Sequence, residues 1–158
     1  MRTVPLGELV EPVQTWNPLR DPERKFNYID LSAVDNSSKS ISGAIPAVGG
    51  EAPSRARQLV SAGDVLVSTV RPNLNAVAVV PSELSGATAS TGFTVLRPSP
   101  DVDGRYLFHW VRSEDFISDM VRHATGASYP AVSDRIVKDS LIPAPPVAEQ
   151  RRIAAILD

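Results

Sequence analysis

Cysteine is absent from all 158 residues, which excludes disulfide scaffolds, thiolate zinc sites and cysteine nucleophiles together and suits a reducing compartment. Long apolar runs are missing too: stretches such as Val77 to Val80 fall far short of the ~20 residues a membrane-spanning helix needs. The opening Met1-Arg2-Thr3-Val4-Pro5-Leu6-Gly7-Glu8 has neither an apolar core nor a small-residue cleavage site. A soluble cytoplasmic protein without a membrane segment is expected. No excess of one charge stands out either, since sixteen basic residues face eighteen acidic ones, a net of −2. A protein that meets nucleic acid alone is often basic, so this balance speaks mildly against that role. It does not exclude it, because a polyanion responds to the face presented and not to the sum.

Catalytic signatures are equally scarce. Gly43 to Gly50 holds no G-x-G-x-x-G, and the chain has no P-loop, no G-x-S-x-G elbow and no H-E-x-x-H. His109 and His123 stand fourteen residues apart and, without cysteine, make a poor metal site. Glu23-Arg24-Lys25 matches the E-x-K of one nuclease class but lies in a proline-broken loop, and no N-P-P-Y methyltransferase motif occurs. The expectation is a protein with no catalytic residues, no metal and no cofactor of its own.

What the chain does have is punctuation. Fourteen prolines cut it into short pieces. Thr3 to Val10 reads as a short helical turn stopped by Pro12, Asn17 to Lys25 as loop, and Phe26 to Leu31, with period two, as a strand. Asp35 to Gln58 carries Ser, Gly and Pro throughout and reads as one long loop. Asp64 to Val70, Ala76 to Val80 and Phe93 to Leu96 are the clearest strands, the first two separated by Arg71-Pro72-Asn73-Leu74-Asn75. Two amphipathic helices follow, with Tyr106, Leu107, Trp110 and Val111 in the first and Phe116, Ile117, Met120 and Val121 in the second. Ser113 suits the cap of the second and Gly126 its C-terminal stop. A strand is expected at Asp139 to Ile142, then an extended Pro143-Ala144-Pro145-Pro146 and a helix from Val147 to Leu157 that reaches Asp158 without a cap. The fold class expected is α+β: a curved, mostly antiparallel sheet with flanking helices and long loops.

Two loops offer recognition chemistry. Thirteen of the sixteen cations are Arg, the side chain suited to bidentate contact with phosphate or guanine edges. Arg71, Asn73 and Asn75 have the fork and amide geometries that read guanine and adenine, although the two Asn also suit a plain turn. Thr125, Ser128 and Tyr129 place hydroxyls beside a helix end, which suits phosphate contact, while an ordinary loop with a buried Tyr ring fits equally. Trp16 and Trp110 are the only features in favour of a carbohydrate-binding β module, and Trp110 sits in an amphipathic helix that favours a core position.

The order of motifs resembles the specificity (S) subunit of type I restriction-modification enzymes. The residues that carry the resemblance are Val4-Pro5-Leu6-Gly7-Glu8-Leu9-Val10, Gly63 to Asn73, Thr125-Gly126-Ala127-Ser128-Tyr129-Pro130 and Ile142 to Ile153. The last, P-x-P-P-x-x-E-Q-x-x-I, is the most specific. The resemblance implies a target recognition domain over residues 1–142, then a Pro-rich lead-in and the start of a spacer helix over 143–158. Such a domain recognises one half of a bipartite duplex DNA target and directs adenine methylation and restriction by methyltransferase (M) and motor-nuclease (R) subunits.

The resemblance also implies roles for residues. The 35–58 stretch becomes a base-reading loop with Lys39, Arg55 and Arg57, joined by Arg71, Asn73, Asn75, Thr125, Ser128 and Tyr129. Gln150, Ile153, Ile156 and Leu157 become the subunit interface. A second domain and most of the spacer helix are missing from the pattern, which leaves a single domain, a half-length subunit that forms a homodimer through its C-terminal helix, and a module of a related system all open. The competing reading is a protein-interaction module that docks a methyltransferase subunit with little DNA affinity of its own.

Overall fold

A computed structural model describes residues 2–158. In chain order they form strands β1 (Thr3–Pro5), β2 (Val10–Glu11), β3 (Lys25–Ile29), β4 (Val34–Asp35), β5 (Ser40–Ile41), β6 (Ile45–Val48), β7 (Ala56–Leu59), β8 (Val65–Ser68), β9 (Val77–Val79), β10 (Thr88–Ser90) and β11 (Phe93–Pro98). Helices α1 (Gly104–Val111), α2 (Glu114–His123) and α3 (Asp134–Asp139), strand β12 (Leu141–Pro143) and helix α4 (Val147–Leu157) complete the chain.

The apolar middle of the sequence becomes a sheet buried on both faces. Its order is β2-β11-β8-β9, antiparallel throughout. Successive side chains of a strand point to opposite faces. Val65 and Val67 of β8 therefore enter one core while Leu66 enters another, and on β11 Leu96 goes with the first, Phe93 and Val95 with the second. The first core is closed by the helices through Leu107, Val111, Phe116, Met120, Val137 and Ala154. The second is closed by a further sheet of order β6-β3-β10-β7, in which β10 and β3 form the one parallel pair among the described strands. The layers run helices, central sheet, second sheet. The fold is α+β with open, mostly antiparallel sheets.

Local chemistry places the ends of these elements. Asp103 caps α1 by accepting from the N–H groups of Arg105 and Tyr106, Ser113 caps α2 through Phe116 N, and Ser133 caps α3 through Ile136 N. Asp64, 1% exposed at the start of β8, accepts from Arg97 Nε at 3.0 Å and Nη2 at 2.9 Å, and from Ser61 N at 2.8 Å. This fork ties the start of β8 to the end of β11, and the carboxylate raises the already high pKa of the Arg97 guanidinium.

The structure corrects four expectations. Residues 35–58 are not one loop: β5, β6 and most of β7 lie within them, and β6 and β7 pair with β3 and β10. These strands are two to four residues long, too short to show a period, and the partners of β6 and β7 are distant in sequence. The N-terminal segment is a 3-10 turn at Leu6–Leu9 between two strands. The segment before Ile142 begins with α3, so the strand starts only at Leu141. Gly126 does not end α2, which stops at His123; its φ of +99° serves the following loop, where a Cβ would meet Tyr129 O at 2.8 Å.

Candidate nucleic-acid interface

Three non-glycine residues among those described have positive φ: Lys39 (54°), Arg71 (50°) and Asn75 (53°). Left-handed backbone at such residues costs about 1–3 kcal/mol and persists only where the surroundings over-determine it. All three lie in one assembly. Arg71 and Asn75 flank the 3-10 turn Pro72–Leu74, and Lys39 sits in the hairpin that joins β4 to β5. Asn36 Nδ2 donates to Leu74 O at 2.7 Å, Lys39 Nζ to Asn75 O at 2.6 Å and to Asn36 Oδ1 at 2.6 Å, and Asn75 Nδ2 to Arg112 O at 3.2 Å.

The second predicted loop joins the same place. Arg71 N donates to Pro130 O at 2.6 Å, and Val70 and Thr125 each form a bridge with Ala131. The Arg71 guanidinium carbon lies 4.6 Å from the centre of the Tyr129 ring, which is 70% exposed. The ring is thus an open face with a cation over it, not a buried side chain. Thr125, Ser128 and Asn73 are exposed on the same two loops. The fold therefore brings Lys39, Arg71, Asn75 and Tyr129 together from three parts of the chain.

The electrostatics fit an anion. Among the described residues Lys39, Arg71 and Arg112 form no ion pair. Partial burial, and after it the charge of Arg112, lower the pKa of the Lys39 ammonium. Arg112 and Asn36 escaped sequence reasoning. Arg112 is one residue past a helix end and Asn36 one of several polar residues in a turn, so neither carried a local signal.

The other predicted residues are placed differently. Arg55 is exposed at the entry to β7, where its charge acts on the Tyr28 phenol, while Arg57 is half-buried with Nε bonded to Ser54 O at 3.0 Å. Neither side chain is hydrogen-bonded to the Arg71 loop. Trp16 is not a free platform: Nε1 donates to Thr88 Oγ1 at 3.0 Å, the ring packs edge-on to Phe26, and Arg24 lies over it at 4.3 Å. Trp110 packs against the first core. His109 meets Asp158 and His123 meets Asp119; no cluster of three metal-ligating side chains occurs among the described residues.

Along α4 the interface residues divide. Gln150 is a correction: it is 0% exposed, its Oε1 accepts from Asp103 N at 2.8 Å, and its Nε2 donates to Pro145 O at 2.8 Å and Asp101 O at 3.3 Å. A buried amide needs such partners, so the side chain is spent on holding α4 to the start of α1. Ile153 is partly buried against the first core, whereas Ile156 and Leu157 are 77% and 57% exposed. No helix among the described residues is long and apolar enough to cross a membrane.

No protein-family model and no curated protein matches the chain. Solved structures do. The crystal structure of the HsdS subunit from Thermoanaerobacter tengcongensis matches at TM-score 0.90 and 40% identity, over 99% of this chain and 40% of that one. A chain from a structure concerned with complex assembly and conformational transition of the type I R-M system matches at TM-score 0.92 and 40% identity, over the same shares. The chain thus spans about two fifths of the length of these relatives. Identity of that size sustained along 99% of the chain, on the same α+β architecture, marks common descent: the chain belongs with the HsdS specificity subunits of type I restriction-modification systems and corresponds to one target recognition domain.

Proposed function

We propose that this domain binds duplex DNA sequence-specifically, recognising one half of a bipartite target, and performs no chemistry itself. Methyltransferase and motor-nuclease subunits would then carry out adenine methylation and restriction where the domain has positioned them. The observation that carries this reading is the exposed Arg71–Tyr129 pair, without a carboxylate, in which Arg71 opens a turn left-handed at both ends. A guanidinium already held against a ring can present its fork to a base edge or a phosphate at a lower entropic cost than a free one. Near-neutral overall charge is tolerable where partner subunits supply additional phosphate contacts.

The test is selection of duplexes from a randomised pool by the complete polypeptide assembled with its methyltransferase partner. An enriched split motif supports the proposal. A pool that stays random at several salt concentrations, or turnover of a substrate by the polypeptide alone, overturns it.

A second reading rests on a separate observation, the exposed Ile156 and Leu157 at the end of α4. These suit docking of a partner helix or of a second copy, and are compatible with DNA reading. Sedimentation of the complete polypeptide without DNA, alone and with the methyltransferase, distinguishes a homodimer from a captured partner.

A further inference from the structure

We infer that Lys39, together with Asn36, is a positioning residue that latches the Arg71–Asn75 loop in its recognition shape, and does not itself contact nucleic acid. The inference rests on the DNA-reading assignment above and gives one of its candidate residues a different task.

The 3-10 turn Pro72–Leu74 ends with Asn75 in the left-handed region. The carbonyls of Leu74 and Asn75 thereby lie past the last repeating hydrogen bonds, where end groups of a helical turn require outside donors. The hairpin between β4 and β5 supplies both: Asn36 Nδ2 reaches Leu74 O at 2.7 Å and Lys39 Nζ reaches Asn75 O at 2.6 Å. The third bond, from Lys39 Nζ to Asn36 Oδ1 at 2.6 Å, joins the two donors into one unit. Two of the three N–H groups of the ammonium are thus used inside the protein.

The hairpin is itself ordered for the purpose. Asp35 Oδ1 accepts from Ser37 Oγ at 2.7 Å and Ser37 N at 3.0 Å, and these bonds lower its pKa. Lys39 holds a left-handed φ of 54°, and from there its Nζ bridges both groups. The pairing is reciprocal in design, since strain on one loop holds strain on the other. A phosphate-binding lysine needs no such arrangement; a freely rotating stem serves it as well.

The experiment uses the complete polypeptide with its methyltransferase partner and measures affinity for the selected duplex and for a scrambled duplex across a salt series. Lys39→Met keeps the stem and removes the donors. The expected result is a loss of about tenfold in the ratio of selected to scrambled affinity, with the salt slope unchanged and the melting temperature within a few degrees of the parent. Asn36→Ala, which leaves the charge in place, shifts the ratio in the same direction, and the double variant adds little to either single one. If Lys39→Met fails to fold, Asn36→Ala with its unchanged charge carries the same comparison.

A uniform loss on both duplexes with the slope lower by about one unit is the signature of a phosphate contact and overturns the inference. So does an unaltered ratio in both variants. Absence of any preference in the unsubstituted protein overturns the DNA reading itself, and that control separates the two failures.

Discussion

The Arg71–Asn75 loop and the end of α4 are both exposed, yet they are built in opposite ways. The loop is polar and held from three directions, by the Asn36–Lys39 hairpin, by Pro130 O and by Arg112 O. The helix end is apolar, with Ile156 and Leu157 open to water, although Gln150 and Ala154 of the same helix are fully enclosed. The difference follows from what each surface can offer a partner. Hydrogen-bond readout gains little unless donors are fixed beforehand, because ordering them on binding offsets the bond energy. Apolar docking needs area and tolerates mobility, so nothing has to brace it before contact.

The contrast is sharpest where α4 turns inward. Gln150→Ala removes three hydrogen bonds and takes the partner of a backbone N–H and two carbonyls away in a partly buried site. Stability is expected to fall by about 3 kcal/mol, roughly 6–12 °C in melting temperature for a chain of this size, measured by calorimetry. DNA preference of the folded fraction should be unaffected, since the Gln150 side chain bonds only Asp101, Asp103 and Pro145 and none of the residues of the Arg71 loop. A loss of preference at full stability would erase the division between the two regions.

At the loop, Arg71→Ala is expected to lower affinity for the selected duplex by about 1–3 kcal/mol. A base contact relaxes specificity at one position, whereas a phosphate contact weakens all duplexes alike and lowers the salt slope by about one. Tyr129→Ala, which removes the ring beneath the guanidinium, should cost about 0.5–1 kcal/mol in affinity while Tyr129→Phe retains most of it. Equal losses from Ala and Phe would transfer the effect from the ring face to the hydroxyl. Smallest in stability is the pair Ile156→Asp and Leu157→Asp, expected within about 0.5 kcal/mol of the parent by urea unfolding. The same variants should abolish association with the helix's partner in sedimentation, and retained association would remove the helix end from the interface.

Much of the scaffold was legible. Asp64 to Val70, Ala76 to Val80 and Phe93 to Leu96 are rich in apolar residues, with Val65-Leu66-Val67 and Ala76 to Val80 as unbroken runs, because both faces of the central sheet are covered. The helical periodicity around Tyr106 and Phe116, with Ser113 between them, marked α1, α2 and the α2 cap. Helix α3 was missed although Ser133 caps it, since six residues hold too few turns to display a period. Of the site, the residue types at 71–75 and 125–130 were readable, but their meeting was not: nothing local says that Arg71 stacks on a ring fifty-eight positions away.

By itself the order of residues determined the strands β8, β9 and β11, the two amphipathic helices, α4 and the absence of thiol chemistry. Propensity, period and capping act over one or two turns of chain, and each of these features is of that length. The tertiary structure alone decided that β6 and β7 exist, that Lys39 is bonded inward while Arg71 faces out, and that Gln150 is enclosed while Ile156 is not. Those outcomes turn on partners far apart in sequence, whose bond energies are collected only when the chain has closed around them.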